Sequence, residues 1–433
     1  MNDQIPSGKL RRSLIGGKTA ARVGGGVIKY MAKKPFLSQQ AKLEARKNLD
    51  DSSARAIFLC LSMLKGTALK VAQLLSLELE LFPDAVCKEL EKSYSQVPPM
   101  NRVLARKTAI NALKQRPEEV FSSFVPTAFA AASLGQVHEA TSSDGLRLAV
   151  KLQYPGIRRT IEDDMQLIKG MIRPLPDFRL IAPIMKEIET RLKEEIDYRQ
   201  EAKHMVFFWE KLDIPGVIVP QLWEAGSGST VLSSTLLPGQ PLNQWLETNP
   251  SDRERDVVAK RLNDIFVESL YTLNCIHADP NPGNFLVDDD LNVGLVDFGC
   301  VKSFSPEFVE SYRKLPQTIM RGDRQKYFDT LRDMHFIKEN LPPKVEEEIF
   351  EAAYAFGEWL GQLYKVEEFD FEKNPGFIAA GKDISQKLFK YRKHFNSNPE
   401  FVFLDRTRYG LFRIFEQLKC RVRIRNPHEC DSA

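Results

Sequence analysis

Apolar residues at turn-like spacing, Ile57, Leu61, Leu64, Ala68, Val71 and Leu75, run through 41–95 with few breakers before Pro83, which predicts a long helical region. A second helix is expected over about 101–114, and Arg116-Pro117 begins the crossing into a different architecture. From about 120 the pattern turns to strands. Phe124-Val125-Pro126 leads into Ala130 to Gln136, then Val137-His138-Glu139-Ala140, a turn at Ser142-Ser143-Asp144-Gly145, and Leu146 to Leu152. Residues 155–210 are mostly charged and helical, while 215–220, Trp223 and 231–237 predict further strands ending at Pro238-Gly239, the expected hinge. The bracket Phe285-Leu286-Val287, a polar turn over 288–292 and the run 293–296 predict a small hairpin. Residues 301–433 read as mostly helical and carry no assignable motif.

Composition narrows the classes. The chain has 433 residues, 43% apolar and 27% charged, enough for two globular lobes with extensions. A net charge of +3 gives no argument for nucleic acid. The cysteines at 60, 87, 275, 300, 420 and 430 show no CxxC or Cys/His ligand spacing, so reduced thiols and no zinc site are expected. No window of 18 consecutive apolar residues exists, and no secretory signal is visible, so a cytoplasmic protein without a spanning helix is expected.

The near-neutral total hides a basic block. Nine Lys or Arg residues (Lys9, Arg11, Arg12, Lys18, Arg22, Lys29, Lys33, Lys34 and Lys42) stand in the first 43 positions against one acid, Asp3. Leu10, Leu14, Ile15, Val23, Val27, Ile28 and Met31 are interleaved with these bases. Such a segment suits an anionic membrane surface. Its alternative is a flexible arm, because the run Gly24-Gly25-Gly26 disfavours a helix by about 1 kcal/mol per residue.

The densest chemistry lies in HADPNPGNFLVDDDLNVGLVDFG, residues 277–299. His277-Ala278-Asp279, then Asn284, then Asp297-Phe298-Gly299 follow the spacing of a kinase catalytic loop and its metal-binding segment. A metal-bound nucleoside triphosphate needs hard oxygen donors, which Asp297 and Asn284 supply; Asp279 is the candidate base or water-orienting group. Turn formation by Asp-Pro and Asn-Pro-Gly explains any one of these residues, but not both triplets in order. Upstream, Ala131-Ala132-Ser133-Leu134-Gly135-Gln136 followed by Leu148-Ala149-Val150-Lys151 is the order of a phosphate loop and strand lysine. Alanines and Ser133 replace the usual glycines, so a stiffer loop is expected. Within KEEIDYRQEAKHM, Glu195, Asp197 and Glu201 are the candidate carboxylates, with Glu201 placed to orient Lys151 across an inserted helical segment of roughly 157–190. Lys70, Gln73 and Ser76, within LKGTALKVAQLLSLE, form a polar stripe that composition alone assigns to a solvated face.

Taken in order over 65–300, KxxQxxS, AAASLGQVH, AVK, EIDYRQEA, HADPNPGN and VDFG resemble the UbiB family of atypical kinases, also called AarF or ADCK proteins. The resemblance implies an α+β, two-lobed protein-kinase-like fold with an added N-terminal helical unit and a largely helical C-lobe. It divides the chain into a basic arm (1–43), a helical extension (44–118), an N-lobe with a helical insertion (119–238) and a C-lobe (239–433). It also implies that Lys70 and Gln73 meet Glu195 and Asp197 where a protein substrate would otherwise bind, reversing the solvated-face reading. Ala72 stands where the family usually has glycine, and its methyl group bears on how closely that helix seats. The expected cofactors are ATP or ADP with magnesium or manganese, held by Ala131, Ala132, Ser133, Gly135, Gln136 and Lys151 on the nucleotide side and by Asn284 and Asp297 on the metal side. The expected activity is that of a kinase-like ATPase supporting ubiquinone or other isoprenoid quinone lipid synthesis, with a peripheral membrane surface, an isoprenoid lipid or quinone-biosynthesis proteins as partners. A protein or small-molecule kinase, and a non-catalytic nucleotide-gated lipid-binding protein, are the alternatives.

Overall fold

The computed structural model describes residues 9–64, 100–132, 134–174, 196–391, 394–396 and 399–429, with scattered positions between 178 and 193. Lys70, Ala72, Gln73, Ser76, Ser133 and Glu195 lie outside the described residues. The chain forms two compact units, Met1–Ala202 with Leu222–Leu236, and Lys203–Gln221 with Leu237–Ala433.

The first unit opens on two long helices, α1 (Lys9–Lys33) and α2 (Gln39–Leu64). The basic segment is thus a continuous helix and not a flexible arm. Its glycines are tolerated because small residues let helices approach: a Cβ at Gly16 would fall on the Leu167 side chain, and one at Gly26 would sit 3.2 Å from Leu49. Gly16, Thr19, Val23 and Val27 recur at three- and four-residue intervals and are buried, giving one inward stripe. Helix α3 (Arg102–Leu113) starts where the Asn101 side chain accepts the Leu104 N–H at 2.9 Å, and stops at Lys114, whose φ is 64°.

Four strands follow in one antiparallel sheet, ordered β1 (Ser123–Ala132), β2 (Gly135–Thr141), β3 (Arg147–Gln153) and, later in the chain, β5 (Val231–Thr235). The β2–β3 turn has Gly145 at φ 88°, which that position requires. Alternating burial along β3 puts Leu148, Val150 and Leu152 in a core with Ala109, Phe121, Ala140 and Val231. Arg147, Ala149 and Lys151 therefore point to the other face. Helix α4 (Ile157–Ile172) begins the expected insertion, and α5 (Tyr198–Lys211) carries Glu201 in its first turn.

The second unit contains a small mixed sheet in the order β4 (Val217–Ile218), β9 (Val293–Leu295), β8 (Phe285–Val287) and β6 (Gln240–Pro241). Helix α6 (Asp252–Tyr271) is launched by a capping box between Ser251 and Glu254 and buries Val258, Leu262, Phe266 and Leu270. It leads to β7 (Cys275–His277), which pairs with β10 (Val301–Ser303). The remainder is mainly helical, as the sequence pattern predicts, and includes α7 (Arg324–Asp333), α8 (Pro343–Tyr364), α9 (Phe377–Phe389) and α10 (Pro399–Leu418). Among the described residues no helix is long and apolar enough to cross a membrane. Cys60, Cys275, Cys300 and Cys420 form no disulfide.

Candidate functional site

In the first unit the chemistry centres on Lys151. Its strand pairs Lys151 with Val137 on one side and Leu232 on the other, which fixes the direction of the side chain. The Nζ atom lies 2.7 Å from Glu201 Oε1, with the two side chains 13% and 4% exposed, and 5.2 Å from the centre of the Tyr198 ring. A buried ammonium needs such a partner, and a carboxylate one turn into a helix supplies it. Asp197 does something else: its Oδ1 accepts the Arg199 N–H at 3.2 Å, so it caps the helix that carries Glu201. This capping role is the one the structure gives Asp197; its expected partners Lys70, Gln73 and Glu195 lie outside the described residues.

The expected phosphate loop joins β1 to β2. Ala131 pairs with Gln136 and Ala132 with Gly135 at the closed end of that hairpin. Gly135 is required for close approach and not for φ freedom: a Cβ there would strike the Leu152 carbonyl oxygen and sit 2.8 Å from the Tyr198 hydroxyl. The Gln136 side chain is engaged within the protein. It is buried, its Oε1 accepts the Met100 N–H at 2.7 Å, and its Nε2 lies 2.8 Å from His138 Nε2. With Gln136 donating, the His138 Nδ1–H donates to the Val125 carbonyl at 2.9 Å. Burial lowers the His138 pKa and favours this neutral form. Gln136 is therefore a structural clasp on the end of the N-terminal extension.

In the second unit the loop after β7 is shaped by its own short hydrogen bonds. Asn281 N–H donates to the Asp279 carbonyl at 2.8 Å, Asn284 N–H to the Asn281 carbonyl at 2.9 Å, and the Asn281 side chain accepts from Gly283 N–H at 3.0 Å. These turns bring Asn284 back onto Asp279: its Nδ2 donates to Asp279 Oδ2 at 3.0 Å and to the Asp279 carbonyl at 3.2 Å. The amide is thereby oriented so that oxygen is the atom Asn284 can offer to a cation. The β8–β9 hairpin closes on the same residue, Val296 N–H donating to the Asn284 carbonyl at 3.0 Å. Asp297 follows at once.

Asp297 has φ 63°, a left-handed conformation uncommon for a non-glycine residue. Its carbonyl accepts from His277 Nε2 at 2.8 Å, and its Oδ1 accepts the Gly299 N–H at 3.3 Å. Phe298, 1% exposed, anchors the turn against Phe208 and His277, with ring centres 5.4 and 5.7 Å away, and its carbonyl meets His204 Nδ1 at 3.1 Å. Two successive carbonyls, those of Asp297 and Phe298, are thus held by imidazoles. Sequence reasoning identified Asp297 but missed His277 as its backbone anchor and His204 entirely. Bonds to carbonyl oxygens leave no side-chain pattern, so only the triplet itself signals them.

Among the described residues no group of three or more His, Cys, Asp or Glu could hold a metal unaided. The donors present are one carboxylate, Asp297, and one amide oxygen, Asn284. That set fits a magnesium ion carried by phosphates, which keeps waters and takes only one or two protein ligands. It does not fit a resident, fully protein-ligated metal.

The chain can now be set beside known proteins. A sequence model described as the ABC1 atypical kinase-like domain matches residues 92–331. The atypical kinase coq-8, mitochondrial, of Caenorhabditis elegans is 25% identical over 438 residues, covering 96% of this chain and 56% of that protein. COQ8B, mitochondrial, of Danio rerio is 26% identical over 437 residues, covering 98% and 68%. The probable protein kinase UbiB of Cronobacter sakazakii is 27% identical over 365 residues, covering 81% and 64%. This chain thus spans between 56% and 68% of the length of these relatives. A Mycobacterium tuberculosis protein solved in complex with erythromycin superposes with a TM-score of 0.61 at 24% identity, covering 88% of this chain and 96% of that one, a likeness of fold.

Proposed function

Because the chain belongs to the UbiB-type family of atypical kinases, defined by the ABC1 kinase-like domain, we propose that it binds ATP with magnesium and turns it over at a membrane surface in support of isoprenoid quinone lipid synthesis. The observation that carries the reading is the buried Lys151–Glu201 pair at 2.7 Å, the arrangement a kinase-type fold needs before its lysine can hold phosphate. In this reading Lys151 neutralises the α and β phosphates and Glu201 keeps its ammonium aimed. Asp297 and Asn284 hold the metal through oxygen. Bound magnesium would spread charge off the transferring phosphoryl group. Asp279, within 3.0 Å of the Asn284 amide, orients the attacking hydroxyl or water. Lys70 and Gln73 would close the site to a protein hydroxyl, which favours water or a small molecule as acceptor.

The membrane part of the proposal draws on α1. Leu14 and Ile28, 61% and 71% exposed, fall on the side opposite the buried Val23 and Val27 at 100° per residue. Exposed Lys18, Arg22 and Lys29 flank that outer stripe. A second apolar stripe edged with bases suits an anionic bilayer surface. Two assays on the purified chain test the two parts. Nucleotide binding should weaken at least about tenfold in Glu201→Gln, and flotation with anionic liposomes should be lost on deleting residues 1–36. Unchanged affinity would refute the lysine's role, and unchanged flotation would refute the helix's.

A further inference from the structure

The C-terminal helices, most of them beyond the family-matched residues 92–331, border a half-open cavity of about 200 Å³ among α7, α8, α9 and α10. Its walls are strongly aromatic. Phe336 stacks on Phe395 with ring centres 4.8 Å apart and meets Phe401 at 4.5 Å, and Tyr327 and Ala353 are also among the lining residues. Into this wall α10 contributes a single acid, Asp405. Among the described residues the lining contains no lysine, arginine or histidine. The nearest basic residue on the same helix face is Arg408, which is directed elsewhere: its Nη1 donates to the Tyr312 hydroxyl at 2.6 Å, its Nη2 to the Tyr364 hydroxyl, and it lies 4.0 Å from Glu429.

A carboxylate facing aromatic rings, with no basic side chain among the described residues of the lining, is an unfavourable arrangement for folding alone. Asp405 is half-buried, and its burial pushes the carboxyl up to about 6, which disfavours the charged form there. Apolar packing would be served better by leucine at this position. The arrangement suits a ligand that brings a positive charge on an apolar body, since ring faces attract cations and a half-buried carboxylate attracts them more strongly than one in open water. The volume is adequate, because a cavity of about 150 Å³ already admits benzene.

We propose that this cavity is a binding site for a small organic amine, an ammonium group on a single-ring or comparable apolar body, held by Asp405 and the Phe336, Phe395 and Phe401 rings. The site is separate from the nucleotide chemistry but lies on a helix that reaches it. At 100° per residue, Phe401 and Asp405 share one face of α10, while Thr407, Gly410 and Leu411 lie on the other. Gly410 is packed against Pro280 of the catalytic loop, where a Cβ would sit 3.0 Å from the Pro280 Cβ, and Thr407 and Leu411 line a second small cavity with His277 and Pro280. Occupancy on one face of α10 therefore bears on the helix that backs the loop.

Calorimetric titration of the full chain with 2-phenylethylamine, and in parallel with its neutral analogue 2-phenylethanol, tests the proposal. The amine should bind at least about tenfold more tightly than the alcohol, and Asp405→Asn, which keeps the side-chain shape, should remove that preference. Ala353→Leu, which narrows the cavity and leaves the carboxylate, should weaken both ligands, and it decides the matter should Asp405→Asn fail to fold. No binding at millimolar amine, equal affinity for amine and alcohol, amine binding undiminished in Asp405→Asn, or amine binding undiminished in Ala353→Leu overturns the proposal.

Discussion

Glu201 and Lys151 neutralise one another in a place where neither is well hydrated, so removing one charge is worse than removing both. Glu201→Gln should lower unfolding stability by about 3 kcal/mol, and Lys151→Met combined with Glu201→Gln should recover part of it, as read by denaturant melts. Gly135→Ala should also destabilise, by about 1–3 kcal/mol, because its methyl group meets the Leu152 carbonyl and the Tyr198 hydroxyl. Asp405 allows a pH test. Its folded pKa is raised from 3.8 to about 6, so its contribution favours the folded state below about pH 4 and is lost as pH rises through about 6. Asp405→Asn should therefore melt higher than the parent at pH 8, by the equivalent of about 2–3 kcal/mol, and the gain should vanish at pH 4. At this scale the Asp279–Asn284 pair was legible in the sequence because five residues with two prolines leave few ways for the turn to close. Lys151 and Glu201 are 50 residues apart, and no local periodicity relates them; motif order and the family resemblance did. Asp405 was not legible at all, since one acid on an amphipathic helix is ordinarily solvated.

Helices carry the next level. Asp197 caps the helix that presents Glu201, so Asp197→Ala should cost about 1 kcal/mol and fray the turn that holds Glu201. Hydrogen exchange at Arg199 and Gln200, whose N–H groups bond to Asp197, should rise in the variant while exchange within β3 stays unchanged. The element boundaries of the core sheet followed from alternation and turn residues, with β1, β2 and β3 falling inside the expected 120–153. The basic N-terminal segment was harder to read. Helix propensity penalises Gly24-Gly25-Gly26, but propensity takes no account of a neighbour that rewards close approach, as Leu49 does at Gly26 and Leu167 does earlier in the helix at Gly16. Gln136 is the corresponding case in a strand. Its place in a motif suggested ligand contact, whereas its side chain is held by Met100 and His138.

On the scale of the whole molecule, each unit holds one set of the residues that the proposed function uses: the first a buried lysine with its carboxylate, the second an amide and a carboxylate placed by a tight loop and two imidazoles. The kinase-like fold was legible because those parts occur in a fixed order along the chain, and the helical C-terminal region was legible only as helical. Magnesium-dependent ATP hydrolysis by the full chain, with and without anionic liposomes and beside Asp297→Asn, tests the central claim most directly. Turnover that rises with liposomes and disappears in Asp297→Asn is the expected result. Nucleotide binding without turnover, or turnover that persists undiminished in Asp297→Asn, would contradict it.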